Sequence, residues 1–201
     1  MDSLSVLNNV VYTKKNLKLY ARRAEVRDVD RLTQIINWAY RGKDGANPWT
    51  TESHLVEGRR ITEPLLEKEL SSDQNVKCIF LVETMPEEEG QQREIVGTIK
   101  IERDNATETS AMIGMFGVDP SMQSNGVGGV LFKLAEEYVK TMWHADRAVL
   151  HVISTRDELL AWYNAMGYKA TGLLIPFNNT VKNDRPKLDN LCFSELVKPL
   201  L

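Results

Sequence analysis

The sequence is poor in cysteine, lacks a long apolar run and carries no excess of positive charge. Each absence removes a class of protein. Its two cysteines, Cys78 and Cys192, lie in the apolar runs KCIFLVE and LCFSELV. They have no metal-ligand spacing, and no histidine pairs with either in sequence, so they read as buried, reduced thiols. No metal site is expected. No stretch approaches the ~20 apolar residues that a membrane-crossing helix needs. The opening MDSLSVLNNVVYTKKN has no basic start followed by an apolar core, so a secretory signal is not expected. A reducing, cytoplasmic setting and no membrane partner follow as expectations. The net charge of −3 offers no general pull toward nucleic acid. An anion site must therefore be local, made from backbone donors and a few cations.

What is present suits one globular domain: 201 residues, 42% apolar and 26% charged, enough to bury a substantial core. Residues 1–16 are weakly patterned and are expected to form a tail, with the domain spanning 17–201. Leu17 to Ala24 alternates as a strand does. Asp28 is placed to cap a helix whose face is Val29, Leu32, Ile36 and Tyr40, ending near Gly42. Residues 41–60 form a long connection, of a length that is often functional. Thr62 and Pro64 open a short helix to Leu70. Lys77–Glu83 and Glu94–Ile101 are expected strands, joined by an acidic hairpin loop. Ala111–Val118 is another, halted by Asp119-Pro120. Val127, Val130, Leu131, Leu134, Ala135 and Tyr138 then recur at helical spacing. Arg147–Ser154 reads as a buried strand. Thr155 and Glu158 fit a capping box for a helix to Met166, stopped by Gly167. Tyr168–Thr171 and Leu191–Val197 complete the strands. The order implies a mixed α/β (α+β) single domain.

The chemistry is concentrated in MFGVDPSMQSNGVGGVL, Met115 to Leu131. A strand, a turn and a glycine-rich loop lead into the most regular helix of the chain. Gly126, Gly128 and Gly129 let backbone N–H groups approach a ligand closely. The helix start adds unpaired donors and about half a positive charge. That combination is a site for phosphate or pyrophosphate. A dinucleotide fingerprint fails, because Leu131 stands where its third glycine belongs, and a P-loop fails because Phe132 precedes Lys133.

These residues resemble the GNAT superfamily of N-acetyltransferases, whose pyrophosphate loop reads Q/R-x-x-G-x-G/A. Gln123, Gly126 and Gly128 match it, while Asn125 replaces a residue that is often basic. The later RAVLHVIS, the helix with Trp162-Tyr163 and its Gly167-Tyr168 stop also resemble that family. The likeness runs from about Leu17 to the C-terminus. It implies a GNAT-like fold: a mixed, mostly antiparallel sheet with splayed middle strands and helices on both faces.

The resemblance further implies acetyl-CoA as co-substrate and a small or amino-acid-like amine as acceptor, with direct transfer between them. Gln123, Ser124, Asn125, Gly126, Val127, Gly128 and Gly129 would hold the cofactor's pyrophosphate, and Lys133 is placed to reach its phosphates. Backbone groups of Phe116 and Val118 would bond the pantetheine. The Val118 N–H would face the thioester oxygen, a contribution of about 3 kcal/mol. Tyr163 would protonate the departing thiolate, although it also falls on the helix face that packs inward with Leu159 and Met166. Trp49, Glu52 and His54 in the long connection are the candidate acceptor contacts. Glu52, His54 and Glu102 are candidate bases, and His151 is expected to be a core histidine, although a position near the splayed strands keeps it eligible. A non-catalytic acyl-CoA-binding module is the alternative. A homodimer stays open.

Overall fold

The computed structural model describes residues 7–46, 48–86, 92–104, 107, 109–177 and 185–200. The order is β1 (Asn9–Tyr12), β2 (Lys18–Arg23), α1 (Val29–Arg41), β3 (Val56–Glu57), α2 (Glu63–Leu70), β4 (Lys77–Thr84), β5 (Ile95–Arg103) and β6 (Ser110–Val118). It continues with α3 (Val127–Trp143), β7 (Arg147–Ile153), α4 (Asp157–Ala165), β8 (Lys169–Pro176), β9 (Arg185–Pro186) and β10 (Cys192–Pro199). One sheet runs β1-β2-β4-β5-β6-β7-β10-β8, and β3 with β9 makes a small second ladder. All neighbours in the large sheet are antiparallel except β6 and β7. This is the mixed, mostly antiparallel architecture expected.

The nearly continuous apolar run of β4 is explained by burial on both faces. Cys78, Phe80 and Val82 pack with α3 residues such as Leu131 and Leu134. Ile79 and Leu81 pack with Leu32, Ile35 and Ile36 of α1 and Leu66 of α2. Helices therefore cover both faces. A third cluster joins Leu55 and Val56 to Ile153, Phe177 and Leu191. It ties the 41–60 connection to the C-terminal strands, where Val56 and Glu57 pair with Pro186 and Arg185. Of the connection 178–189, residues 178–184 lie outside the described residues.

Four local expectations are corrected. The segment expected as a tail contains β1, which pairs with β2 from Asn9↔Ala21 to Tyr12↔Lys18. Its alternation is too short to stand out, and neighbouring β2 supplies the order. Asp28 does not cap α1 through its side chain. Its carboxylate instead takes the Arg22 guanidinium at 2.7 Å and the Glu25 N–H at 2.8 Å. The Thr155–Glu158 capping box does not form: Arg156 is the N-cap of α4, with no side-chain cap. Glu158 turns to the Thr50 hydroxyl and to Arg156. β8 runs to Pro176, beyond the expected Thr171, because β10 pairs along it as far as Cys192↔Pro176.

Candidate active site

β6 and β7 are paired only from Ser110↔Arg147 to Met112↔Val149. Beyond that point they part. Met115 adopts φ +44, and the β5–β6 register shifts between Thr98 and Lys100, the signature of a bulge that bends a strand away from its neighbour. The Asp119 N–H bonds the Val96 carbonyl at 2.9 Å. Alternation along an antiparallel pair then turns the N–H and carbonyl of Val118 away from β5, toward the gap. The Val118 carbonyl receives Gln123 Nε2 at 3.4 Å, and Gln123 Oε1 accepts the Trp49 N–H at 2.8 Å. Gln123 thus ties strand end, glycine loop and the 41–60 connection together.

A cleft of about 1480 Å³ opens at the gap and reaches the glycine loop. It brings together Trp49, Glu52, Phe116, Val118, Gln123, Ser124, Gly126, Val127, Gly128, Gly129 and Tyr163. Asn125 and His54 do not line it. Asn125 turns its amide inward to the carbonyls of Met122 and Gln123, and His54 is exposed elsewhere on the connection.

At the loop end, Ser124 and Gly126 have φ +62 and +84, and α3 begins at Val127. The first intrahelical bond runs from the Val130 N–H to the Gly126 carbonyl. The N–H groups of Val127, Gly128 and Gly129 precede it, as the unpaired donors of a helix start do. A Cβ at Gly128 would lie 3.0 Å from Phe116 and 3.3 Å from Trp162. Those rings stack with centroids 5.6 Å apart, so Gly128 also serves packing. At Gly126 a Cβ would lie 3.0 Å from Thr13 and 3.5 Å from the Lys14 nitrogen. The turn after β1 therefore sits on the loop and brings Lys14 into the lining of the cleft, which Lys133 lines as well. Sequence reasoning missed this, since nothing local joins residue 14 to residue 126.

At the gap, Tyr163 is buried at 6% exposure. Burial pushes its phenol well above the ordinary tyrosine value; nearby Tyr40 adds to the rise and Arg156 opposes it. The group is neutral across the physiological range. Burial raises the Tyr40 phenol as well, against the pull of Arg60, Arg156 and a backbone hydrogen bond from Phe116. Arg156 is buried, bonds Thr50 Oγ1 at 2.7 Å and pairs with Glu52 at 3.5 Å, while its Nε finds no hydrogen-bond partner. Glu52 is also paired with Arg41. Two arginines thus hold this carboxylate in place. Glu102 is similarly committed, to Lys100 at 2.9 Å and Lys77 at 3.4 Å.

His151 is not a core histidine. Leu150 and Val152 pack toward α3, so alternation turns His151 to the opposite face. There it lines the cleft with its side chain 26% exposed and Nε2 3.7 Å from Glu195 Oε2. Its apolar neighbours suggested burial, but the parting of β6 leaves it open. Tyr40 and Arg156 are the side chains that sequence reasoning left out of the site. The alternation of β7 placed His151 on a face, and its apolar neighbours favoured a core role over the open one.

Parted parallel strands, a glycine loop at a helix start and a long cleft joining them define a fold that seats an extended, phosphate-bearing acyl carrier. The model of the Acetyltransferase (GNAT) family matches residues 32–168, well over half of the chain, and the chain belongs to that family. It is an acetyl-CoA-dependent N-acetyltransferase. No curated protein matches the sequence. Among solved structures, the spermidine N-acetyltransferase of Vibrio cholerae in complex with CoA and spermine is 18% identical, with a TM-score of 0.61, covering 90% of this chain and 95% of that one. A candidate phosphinothricin N-acetyltransferase is 15% identical, with a TM-score of 0.62, covering 91% of this chain and 99% of the other. At these identities the likeness is one of fold.

Proposed function

We propose that the chain moves the acetyl group of acetyl-CoA directly to the amine of a small acceptor in a ternary complex. The observation that carries this reading is the continuous cleft from the glycine loop, through the gap, to Tyr163. The N–H groups of Val127, Gly128 and Gly129 hold the pyrophosphate, and Gln123, Ser124 and Asn125 shape the loop. Lys14 and Lys133 add positive charge beside it. The gap-facing backbone of Phe116 and Val118 bonds the pantetheine amides.

In the reaction, the acceptor nitrogen forms a bond to the thioester carbon as the carbonyl electron pair moves to oxygen. The Val118 N–H stabilises that oxygen. Return of the pair breaks the carbon–sulfur bond, and the leaving sulfur takes a proton or hydrogen bond from Tyr163. Burial keeps Tyr163 protonated, which suits a donor and excludes it as the base. It also separates the phenol from the thiol by more than the ordinary values of about 10 and 8.5 do, so hydrogen-bond donation is its main contribution. The amine proton leaves to His151, directly or through water, and Glu195 steadies the imidazolium. Glu52 acts through Arg156 as a positioning residue, Trp49 walls the cleft mouth, and His54 takes no part.

The spermine held by the Vibrio cholerae enzyme makes polyamines one acceptor class to test. A binding module without turnover is disfavoured by the family and by the assembled cleft. We also place the protein in the cytoplasm, a reading supported by free Cys78 and Cys192. No helix among the described residues is long and apolar enough to cross a membrane. A homodimer is supported by the exposed edge strand β8, where Leu173 and Leu174 are 52% and 58% exposed. Sedimentation velocity tests it.

The first experiment is calorimetric titration with acetyl-CoA, then with dephospho- and desulfo-CoA, alongside the Tyr163→Phe variant. Saturable binding is expected, with kcat in the variant lower by about 100-fold and the Kd for acetyl-CoA unchanged. Absence of binding at millimolar acetyl-CoA would falsify the reading.

A further inference from the structure

We propose that the acceptor carries a carboxylate close to its reactive amine, and that Arg60 receives that carboxylate. The inference rests on the acetyl-transfer reading above and deepens it. Six cationic side chains line the cleft (Lys14, Arg59, Arg60, Lys100, Lys133, Arg156) against three carboxylates (Glu52, Glu69, Glu102). The whole chain has a net charge of −3, so the cleft is basic against the trend of the molecule. Lys14 and Lys133 belong to the glycine-loop end. On the acceptor side, Arg59 pairs with Glu63 at 2.9 Å. Lys100 holds Glu69 at 3.2 Å and Glu102 at 2.9 Å. Arg156 is committed to Glu52 and Thr50. Among the described residues, Arg60 is left on that side without a carboxylate.

Its position is built rather than incidental. Asn37 of α1 accepts the Arg60 N–H at 2.7 Å and donates to the Ile61 carbonyl at 2.9 Å. This pins the end of the long connection to the helix. The guanidinium then lies over the Tyr40 ring, 5.1 Å from its centroid. Tyr40 lines the cleft together with Arg60, Phe116 and Tyr163. The ring beneath the Arg60 guanidinium is therefore part of the wall of the cleft that opens at the parted strands. A planar guanidinium matches a carboxylate with two parallel hydrogen bonds. An acceptor that carries both groups can bond Arg60 through its carboxylate while its amine enters the gap. A polyamine would meet the opposite situation. Arg60 and Arg156 repel it, and the carboxylates that could hold it are already engaged by Lys77, Lys100, Arg41 and Arg156.

The test uses the full chain. Calorimetry with acetyl-CoA comes first, so that failure of cofactor binding, which would sink the acetyl-transfer reading itself, is seen separately. CoA thiol release is then followed with amino acids and ω-amino acids, with their carboxamides, and with spermidine. The carboxylate-bearing amines are expected to exceed their matched amides in kcat/KM by about tenfold or more. Arg60→Ala should erase that difference by raising KM about 10- to 100-fold while leaving the Kd for acetyl-CoA unchanged, and Arg60→Lys should keep part of it. The proposal is overturned by equal use of acids and amides, by a preference for spermidine, or by an Arg60→Ala variant with unaltered KM. It is equally overturned if acetyl-CoA binds and no carboxylate-bearing amine is turned over.

Discussion

The two ends of the cleft are built in opposite ways. The backbone donors of the glycine-loop end come from one short stretch, Val118 to Val130, where strand end, turn and helix start follow each other in the chain. The acceptor end is gathered from Tyr40, Glu52, Arg60, His151 and Arg156, carried by helix, loop and strand and meeting through folding alone. The first uses backbone donors whose direction is set by local geometry. The second uses charged side chains whose direction depends on one another, as Arg41, Glu52 and Arg156 do. Substitutions at the first should therefore act on cofactor affinity, and at the second on stability and acceptor use together.

The largest effect is expected at Arg156. Replacement by Leu leaves Glu52 buried with one of its two arginines, and breaking such a buried pair costs about 3 kcal/mol. Urea denaturation should show that loss, and Glu52→Gln combined with Arg156→Leu should recover part of it. An unchanged midpoint in the single variant would mean that the triad adds nothing to stability, and the contrast between the two ends would fail. Gly126→Ala comes next. Its left-handed φ of +84 and the Thr13 side chain at 3.0 Å imply a loss of about 1–2 kcal/mol. Calorimetry should find weaker acetyl-CoA binding as well.

Alkaline pH gives a third, graded effect. Burial holds the folded phenols of Tyr163 and Tyr168 above their unfolded value. Their contribution to stability is complete below pH ~10 and falls above it, because the unfolded chain then releases protons that the folded chain keeps. Each phenol should remove about 1.4 kcal/mol per pH unit beyond that point. Tyr163→Phe should flatten the slope by one such increment in denaturation series at pH 9 to 11. The smallest effect belongs to Lys14→Ala. An exposed cation beside the loop should change the Kd for acetyl-CoA only a few-fold, and raised salt should shrink the difference. A change as large as that of Gly126→Ala would make β1 and the turn after it, an N-terminal arm, a principal cofactor contact.

How much of this was legible follows the same division. The helices α1 and α3, the central strands and the loop at 123–129 were readable because apolar spacing and glycine placement are properties of neighbours in sequence. Glu52 and Trp49 were found through the length of their connection, without a signal for their orientation. Arg156 was hidden inside a motif that resembled a helix cap, and its side chain turned instead to Thr50 and Glu52. His151 was misplaced because an apolar strand normally implies a covered neighbour, and only the bend at Met115 uncovers it. Thr13 and Lys14 had no local signal at all, since their meaning arises from contact with a loop more than a hundred residues away.

That arm lies outside the stretch matched by the family, which begins at residue 32. A shortened version of the protein starting at residue 17 would strip β1 from β2 and bare a row of backbone donors and acceptors. Such an edge recruits strands from other molecules. Trimming what looks like a dispensable leader would thus exchange a four-residue edge strand for a six-residue one, a longer template for self-association, and aggregation during purification would be the first sign of it.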